Sequence, residues 1–481
     1  MRARLLLLAA ALAAFGASLG SGFHFDDYAI FTNPSLTSPE GVLHIWGLAS
    51  TRPLTYFTFW LDWVVGGNAP LLYHLLNLLL HLGAVLVAYE CFLRLVSPRT
   101  ALLAAALFAV HPIQAEAVNY VWARSIVLAT LLSLASLFAW LDGRRWEAVG
   151  WFALALLAKE ECAAFPLALL LIAPSVPHEK SATGQRWPAA APLAAMLLLA
   201  VAAGARVLYA LSLTPGAPAG IQAGISPAGY LLAQGPVILR YLRLLVVPYG
   251  FTVDPDIAVP PFWLGLAAWA AILALAAAAW RFRCRWFLAG LVLLIPSSSL
   301  FPAADLAADR RLYLPMVAFA LAAALLLERI EPRAVALAVV SCLVLVSMVR
   351  TRVWMSEKSL WSEAVAHAPH KVRPKVQLAR ALPAAEALEL LAKARGEAPD
   401  EPSIAAETGR LLLAEGQPDA ALAEFGRALA LDPRNALYLN NRGVALEALG
   451  QSAAARADFE RALQIDPGLA EAKANLSKLL P

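Results

Sequence analysis

The sequence predicts an all-α protein in two parts: a polytopic membrane bundle, followed by a short soluble array of helical repeats. Of the 481 residues, 60% are hydrophobic and 15% are charged, and the mean hydropathy is +0.65. Soluble domains average about half apolar and about a quarter charged residues, so a bilayer is the expected solvent. Nearly all of the apolarity precedes residue 350, whereas the remainder is rich in Ala, Glu, Arg, Leu and Asp.

Apolar stretches long enough to cross, or nearly cross, a hydrocarbon core of about 30 Å define the expected spans. They begin near residues 4, 71, 101, 125, 189, 260, 286, 312 and 333. The first stretch fits either a cleaved signal peptide or an anchor, because Arg2 and Arg4 precede a leucine-alanine run and small residues follow it. An uncleaved first helix is favoured.

A further apolar run, residues 146–173, is interrupted by Lys159, Glu160 and Glu161. Basic loops face the cytoplasm, and both flanks of this run, residues 144–145 and 180–186, are basic. A helical hairpin satisfies both flanks, with arms of about 13 residues or about 20 Å of helix. Such arms are too short to carry the tip to the far surface, so the charged tip is predicted to line a water-filled cavity within the membrane.

Residues 234–247 are apolar, but if they crossed the membrane, the basic loops that follow would lie on the wrong side of it. With Pro236, Arg240 and Arg243 among them, they are expected to form an interfacial or re-entrant helix on the outer side. The sequence then predicts about 11 spans, a cytoplasmic N-terminus and an external C-terminus, in the inner membrane if the protein is bacterial. Four segments would be external: 22–70, 111–125, 214–261 and 301–315.

The first external segment contains Asp26 and Asp27 directly beyond the first span. Two adjacent carboxylates cannot share one helix face, so one could face a cavity while the other caps the next helix. The alternative is a pair of solvated loop acids with a purely structural role.

The second external segment begins at His111, where Pro112 is predicted to break or kink the third span. Glu116 follows, and Arg124 lies eight residues after it. These two residues are site candidates, although they could simply pair with each other.

The last external segment carries Arg310 and Arg311, which run against the tendency of basic residues to stay cytoplasmic. Arginine binds phosphate bidentately, so a lipid phosphate at the interface would explain both. The alternative is that they snorkel or pair with Asp305 and Asp309.

The C-terminal part repeats with a period of 34 residues. Proline recurs at 399, 433 and 467, and glycine at 409 and 443. This is the tetratricopeptide period. It predicts repeats at 402–433 and 434–467, a degenerate repeat at 367–399 and a capping helix at 469–480. The expected domains are therefore a membrane domain (1–350), a juxtamembrane segment with the degenerate repeat (351–401), and the repeats with their cap (402–481).

Several motifs carry a family resemblance. In order they are Phe25-Asp26-Asp27, Arg52-Pro53-Leu54, residues 73–81, His111-Pro112 through Glu116-Ala117-Val118, Ala123-Arg124, Ala158-Lys159-Glu160 and Arg311-Leu312-Tyr313-Leu314-Pro315. With the repeat tail, they resemble the transmembrane and tetratricopeptide repeat family. That family is similar to the protein O-mannosyltransferases and belongs to the C-type membrane glycosyltransferases.

The resemblance implies transfer of a hexose, mannose in the eukaryotic relatives, from a polyprenyl-phosphate carrier to a hydroxyl, typically of a protein Ser or Thr, on the external face. It implies Asp27 as the first candidate for the base that deprotonates the acceptor and Asp26 as the second, with Glu116 positioning an arginine or the acceptor. The candidates for binding the donor phosphate are Arg310, Arg311, Tyr313, Arg124 and Lys159. The other expected cavity residues are Glu160, His111 and Arg52.

The sequence implies no firm cofactor. A divalent metal is possible but unsupported. The four cysteines are scattered, with no CxxC spacing and no neighbouring histidine that would make a metal set, and they are expected to be buried thiols. The expected partners are a lipid-linked sugar and an acceptor protein or peptide bound by the repeats, which could instead serve docking or dimerisation. The net charge of +4 is too small to indicate that the protein binds nucleic acid. The rival functions are a non-enzymatic membrane scaffold and a transporter of lipid-linked sugars.

Overall fold

The computed structural model describes residues 1–172, 190–213, 224–298, 301–303, 305–330 and 333–479. The described elements are helices, which confirms the predicted all-α class. The chain divides into two compact units, Met1–Ser356 and Glu357–Pro481. The basic flank predicted at 180–186 and the start of the predicted external segment 214–261 lie outside the described residues.

The first unit contains sixteen described α-helices, joined in places by short 3-10 turns. They are α1 (Arg2–Phe15), α2 (Ala29–Thr32), α3 (Val42–Ile45), α4 (Pro53–Gly66), α5 (Pro70–Leu93), α6 (Pro98–Val110), α7 (Ala115–Asn119), α8 (Arg124–Leu141), α9 (Arg145–Ala158), α10 (Phe165–Ile172), α11 (Ala190–Ser212), α12 (Pro227–Val246), α13 (Phe262–Arg281), α14 (Arg285–Leu293), α15 (Tyr313–Ile330) and α16 (Arg333–Val353).

Seven stretches of the described chain are helical, long and apolar enough to cross a membrane, and an eighth is possible. The seven are Arg2–Gly20, Pro70–Leu93, Val121–Leu141, Ala190–Ser212, Phe262–Arg281, Asp309–Arg329 and Ala334–Val353. The eighth would be the pair Pro98–Val110 and Pro112–Asn119, which bends by 45°. The predicted count of about 11 is not confirmed, because α9, α10 and the apolar helix Arg285–Ser297 are too short to qualify.

Two local sequence features shape the helices around the site. The predicted break at Pro112 is present, since α6 ends at Val110 and the chain turns there. The charged interruption after Ala158 separates α9 from α10 and forms a 3-10 turn over Glu160–Ala164. Helices α8 and α9 pack side by side and are joined by a tight turn in which Gly143 has a φ of 81°. The start of α8 and the end of α9 therefore lie at the same end of the bundle.

The expectation of four buried thiols is wrong for two of them. Cys91 and Cys162 are buried, whereas Cys284 and Cys342 are exposed at the protein surface. Cys342 lies in the candidate span Ala334–Val353, whose residues are mostly on the outside of the bundle. Apolar residues on such a surface contact lipid rather than other helices, so a run of apolar sequence alone does not reveal which thiols are packed.

The second unit is a stack of helix pairs. Its helices are α17 (Glu357–His367), α18 (Val372–Arg380), α19 (Ala384–Glu397), α20 (Pro402–Ala414), α21 (Pro418–Leu431), α22 (Ala436–Ala448), α23 (Ser452–Ile465) and α24 (Ala470–Lys478). The pairs α20 with α21 and α22 with α23 occupy the two predicted repeats. Each pair packs a glycine against an aromatic ring: Gly409 against Phe425, and Gly443 against Phe459. The small residue lets the two helices approach closely.

Substitution of Gly443 by alanine is expected to destabilise the repeats by about 1–3 kcal/mol, because the added methyl overpacks the pair. Its Cβ would lie 2.5 Å from Cε1 of Phe459. Limited proteolysis of the whole protein at increasing temperature would monitor the unfolding of the second unit and measure the change. Gly426→Ala is the matched control, because a Cβ there meets no other atom within 4 Å. Equal melting temperatures for the two variants would contradict the expectation.

Candidate active site

Hydrogen bonds gather the predicted site segments at one end of the helix bundle, called here the site end. Thr55 at the start of α4 donates to the carbonyl of Ala158 at the end of α9 (2.8 Å). The ring of His24, just beyond α1, is 2.6 Å from the carbonyl of Trp354, just beyond α16. The segment before α15 bonds to α7 through Arg310 and Glu116. The site end therefore combines residues that are far apart in sequence.

The two adjacent aspartates have different environments. Asp27 is fully buried, and its two carboxylate oxygens accept hydrogen bonds from the backbone N–H groups of His24 (2.9 Å) and Trp122 (2.7 Å). Asp26 is exposed. Phe25, immediately before them, has a φ of 24°, which an L-residue rarely adopts. The turn therefore directs one carboxylate into the fold as a cap and leaves the other at the surface.

Burial raises the pKa of Asp27 from 3.8 to about 7, although the two backbone donors act in the opposite direction. The folded protein therefore holds this proton more tightly than the unfolded chain. Between these two pKa values the folded state binds more protons, so stability is expected to fall as the pH rises from about 4 through 7.

The pH dependence should appear as a decline in melting temperature between pH 5 and pH 8 that is smaller in Asp27→Asn, which cannot ionise. Over the whole pH range, the change in the free energy of unfolding is expected to differ between the two proteins by on the order of 4 kcal/mol. Thermal unfolding of both purified proteins at matched ionic strength would measure it. Parallel profiles would contradict it.

Two arginines enter the site end just before α15. Arg310 forms an ion pair with the buried Glu116, and its backbone N–H also donates to Glu116 (3.1 Å). Arg311 donates to the carbonyls of Asp305 (2.8 Å) and Leu306 (3.0 Å). The side chain of Arg310 is 22% exposed. One carboxylate thus fixes a guanidinium that still reaches the surface of the site.

The turn between α9 and α10, which is the tip of the predicted hairpin, supplies two more ion pairs. Lys159 is 3.1 Å from Glu161, and Arg52 forms two bonds with Glu160 (2.6 and 3.0 Å). Lys159 is close enough to Arg310 for the two charges to interact. The hairpin tip and the segment before α15 therefore form one charged region.

Three predicted site residues lie inside the packed bundle. Arg124 is fully buried against Asp62 (2.5 Å) and also donates to Asn77, Thr58 and Tyr73. Tyr313 bonds to His81, and His111 is bonded to backbone groups on both ring nitrogens. The possible pair of Glu116 with Arg124 does not form, because each has a different partner. All three side chains are therefore already engaged by groups of the protein itself.

Some site-end residues were not among the site residues predicted from the sequence, and Asp309 was named only as a possible partner of Arg310 and Arg311. Asp309 pairs with Arg240 of α12 (2.5 Å), and the hydroxyl of Tyr230 bonds to the carbonyl of Ser297 (2.8 Å). Tyr120 follows α7 and packs next to Phe25. Arg240 was noted only as a snorkelling residue, and isolated tyrosines in apolar sequence carry no signal that separates them from core aromatics.

An apolar cleft of about 290 Å³ opens on the side of the bundle. Its walls come from α10, α12, α13 and α14, and they include Ile238, Trp269 and Trp280. One end is formed by Ile295 and Ser298. The 3-10 turn Ile295–Ser297 packs on the turn Glu160–Ala164, which directly follows Lys159. The cleft therefore leads towards the charged region.

No group of three or more His, Cys, Asp or Glu side chains suitable for a metal ion occurs in the described part of the chain. Asp27 is instead hydrogen-bonded to backbone groups, and Glu116, Glu160, Glu161 and Asp309 are paired with arginine or lysine.

The helices and the charged site end define a multi-pass membrane protein that carries tetratricopeptide repeats. Residues 406–470 match the tetratricopeptide repeat family model. Over 429 residues the chain is 26% identical to protein O-mannosyl-transferase F38B6.6 of Caenorhabditis elegans, which covers 79% of this chain and 60% of that protein. It is also 34% identical to TMTC3 of Mus musculus over 149 residues, and 34% identical to TMTC4 of Homo sapiens over 163 residues.

These two mammalian matches cover 28% of this chain, and 16% and 22% of the relatives. The chain thus spans 60% or less of the length of these relatives. The predicted resemblance to the transmembrane and tetratricopeptide repeat family is confirmed.

Proposed function

We propose that the protein is a membrane glycosyltransferase that moves a hexose, such as mannose, from a polyprenyl-phosphate sugar to the hydroxyl of a protein Ser or Thr on the external face. The observation that carries the proposal is the exposed Asp26 at the same end of the bundle as the fixed cations Arg310 and Lys159. The similarity to relatives named protein O-mannosyl-transferases supports it.

In this reaction a carboxylate takes the proton of the acceptor hydroxyl while the oxygen attacks the anomeric carbon. The bond from that carbon to the phosphate oxygen breaks, and the electron pair leaves with the lipid phosphate. Asp26 is the better-placed base, because both oxygens of Asp27 already accept backbone hydrogen bonds. The burial of Asp27 thus favours Asp26, which was the second candidate for the base in the sequence analysis.

The leaving phosphate gains negative charge, which preorganised cations stabilise without reorganisation. Arg310 suits this role because Glu116 holds it in place. Lys159 and Arg311, which belong to the same charged region, would add further positive charge. Arg124 is excluded from our proposed phosphate site, since its guanidinium is fully buried among protein partners.

The lateral cleft supports a lipid-linked donor. Its apolar walls match an isoprenoid chain, and its end at Ser298 adjoins the turn after Lys159. A lipid lying in the cleft would therefore present its phosphate to the charged region. The repeats would bind the acceptor, since such stacks hold extended peptides in a groove.

The test is transfer by the purified protein in nanodiscs, with polyprenyl-phosphate mannose or glucose as donor and Ser/Thr peptides as acceptors. Mass spectrometry of the peptides would reveal the added hexose. Absence of transfer from every donor would favour a membrane scaffold. Movement of the lipid-linked sugar between leaflets of sealed vesicles without transfer would favour a transporter.

A further inference from the structure

Tyr120 is a buried aromatic residue at the centre of the site end. Its ring lies 4.6 Å from the ring of Phe25 and stacks at 5.8 Å on Trp354, measured between centroids. The guanidinium of Arg310 lies 5.8 Å from its centroid. The side chain of Asn77 donates to its backbone carbonyl (3.1 Å). Contacts on several sides therefore fix the position and the direction of this side chain.

The hydroxyl of Tyr120 differs from those of four other buried tyrosines at this end of the bundle. Those four have hydrogen-bond partners: Tyr73 with Gly67, Tyr230 with Ser297, Tyr241 with Ala308 and Tyr313 with His81. The Tyr120 hydroxyl is buried and has no hydrogen bond of ordinary length within the described residues, although it interacts at longer range with the carboxylate of Asp26. A buried hydroxyl without a partner is unfavourable. Its position in a packed aromatic cluster points to a partner that it bonds at ordinary distance during the reaction.

The nearest candidates for that partner are the two adjacent aspartates. Both are close enough to Tyr120 for their charges to act on its hydroxyl. The two carboxylate oxygens of Asp27 already accept hydrogen bonds from the backbone N–H groups of His24 and Trp122. Asp26 is exposed, and it follows Phe25, whose ring packs on Tyr120. A small displacement of the Asp26 carboxylate would therefore shorten its existing interaction with the Tyr120 hydroxyl to an ordinary hydrogen bond.

We propose that Tyr120 is a positioning residue that donates a hydrogen bond to one oxygen of ionised Asp26 once substrates exclude water from the site. The other oxygen then faces the acceptor hydroxyl and receives its proton, while Tyr120 keeps its own proton throughout. The inference rests on the proposed function, because it assigns a task to the base of that reaction. It adds a residue outside the predicted set.

The test is Tyr120→Phe, which removes only the hydroxyl and keeps the aromatic packing. We expect turnover to fall about tenfold or more, by analogy with other groups that assist proton transfer. The acid limb of the kcat profile should move to higher pH, because the ionised carboxylate loses a donor. The KM for the peptide acceptor should change little. Tyr89→Phe, in the half of α5 farthest from the site end, is the control and should match wild type.

The pH profile must be read with the charged groups that surround Asp26 and Tyr120. These are Asp27 and His24 on the same turn, and Glu116 and Arg310 from the neighbouring segments. All four remain in Tyr120→Phe, so the comparison with wild type isolates the hydroxyl. In the Asp26→Asn background the loss of the hydroxyl should cause no further decrease in the residual rate, since the two residues act together.

The outcomes separate this inference from the function on which it rests. An inactive wild-type protein would remove the proposed function and the inference with it. An active wild type with an unchanged pH profile in Tyr120→Phe would overturn the inference alone. A large drop in the melting temperature of Tyr120→Phe would also overturn it, because the hydroxyl would then be structural.

Discussion

Asp26→Asn is expected to lower hexose transfer by about 10²- to 10⁴-fold, the range typical of a lost general base. Asparagine keeps the size of the side chain but cannot accept the proton of the acceptor hydroxyl. Because Asp26 is exposed, its replacement should leave the melting temperature close to that of wild type. Turnover with saturating donor and acceptor would measure the effect, and donor binding should persist.

Asp27→Asn is the matched comparison, since the two residues are neighbours and the substitution is the same. Its amide can accept only one of the two backbone hydrogen bonds and directs N–H groups at the other donor. The expected result at acidic pH is a loss of stability, with any remaining folded protein still active. The reverse pattern, with activity lost in Asp27→Asn and retained in Asp26→Asn, would assign the base to Asp27 instead.

Arg124→Ala is expected to destabilise the membrane unit by roughly 3–5 kcal/mol, because it leaves a poorly solvated carboxylate without its partner. Asp62 loses an ion pair at 2.5 Å, and Asn77 and Thr58 lose their donors. The ring of Phe59 also loses the guanidinium that lies 4.5 Å from its centroid. Thermal or denaturant unfolding of the purified protein would measure the loss.

Arg144→Ala is the control for this prediction. Arg144 is 45% exposed and pairs with Asp142 and Glu147 at the surface. Exposed pairs contribute about 0–1 kcal/mol, so little change is expected. If Arg124→Ala lowered donor affinity while its stability remained that of wild type, Arg124 would be a phosphate ligand and not a structural residue.

The distinction between Asp26 and Asp27 could not be made from the sequence. Their neighbours in the chain are the same, and alternation of faces says only that they diverge. The backbone N–H of Trp122, 95 positions after Asp27, decides which of them is capped. The partners of the arginines could not be predicted from the sequence either. Arg124 pairs with Asp62, whereas Arg310 pairs with Glu116, 194 positions away. Such partners depend on how the helices assemble.

The sequence by itself determined the helical class, the charged interruption that follows Ala158 and the 34-residue repeats, because these follow from the local balance of apolar, charged and small residues. It also placed Glu116, Lys159 and Arg310 among the site candidates. Only the tertiary structure decided which charges are satisfied within the bundle and which remain exposed at the site end. Burial and ion pairing depend on distances between segments, and no local pattern contains those distances.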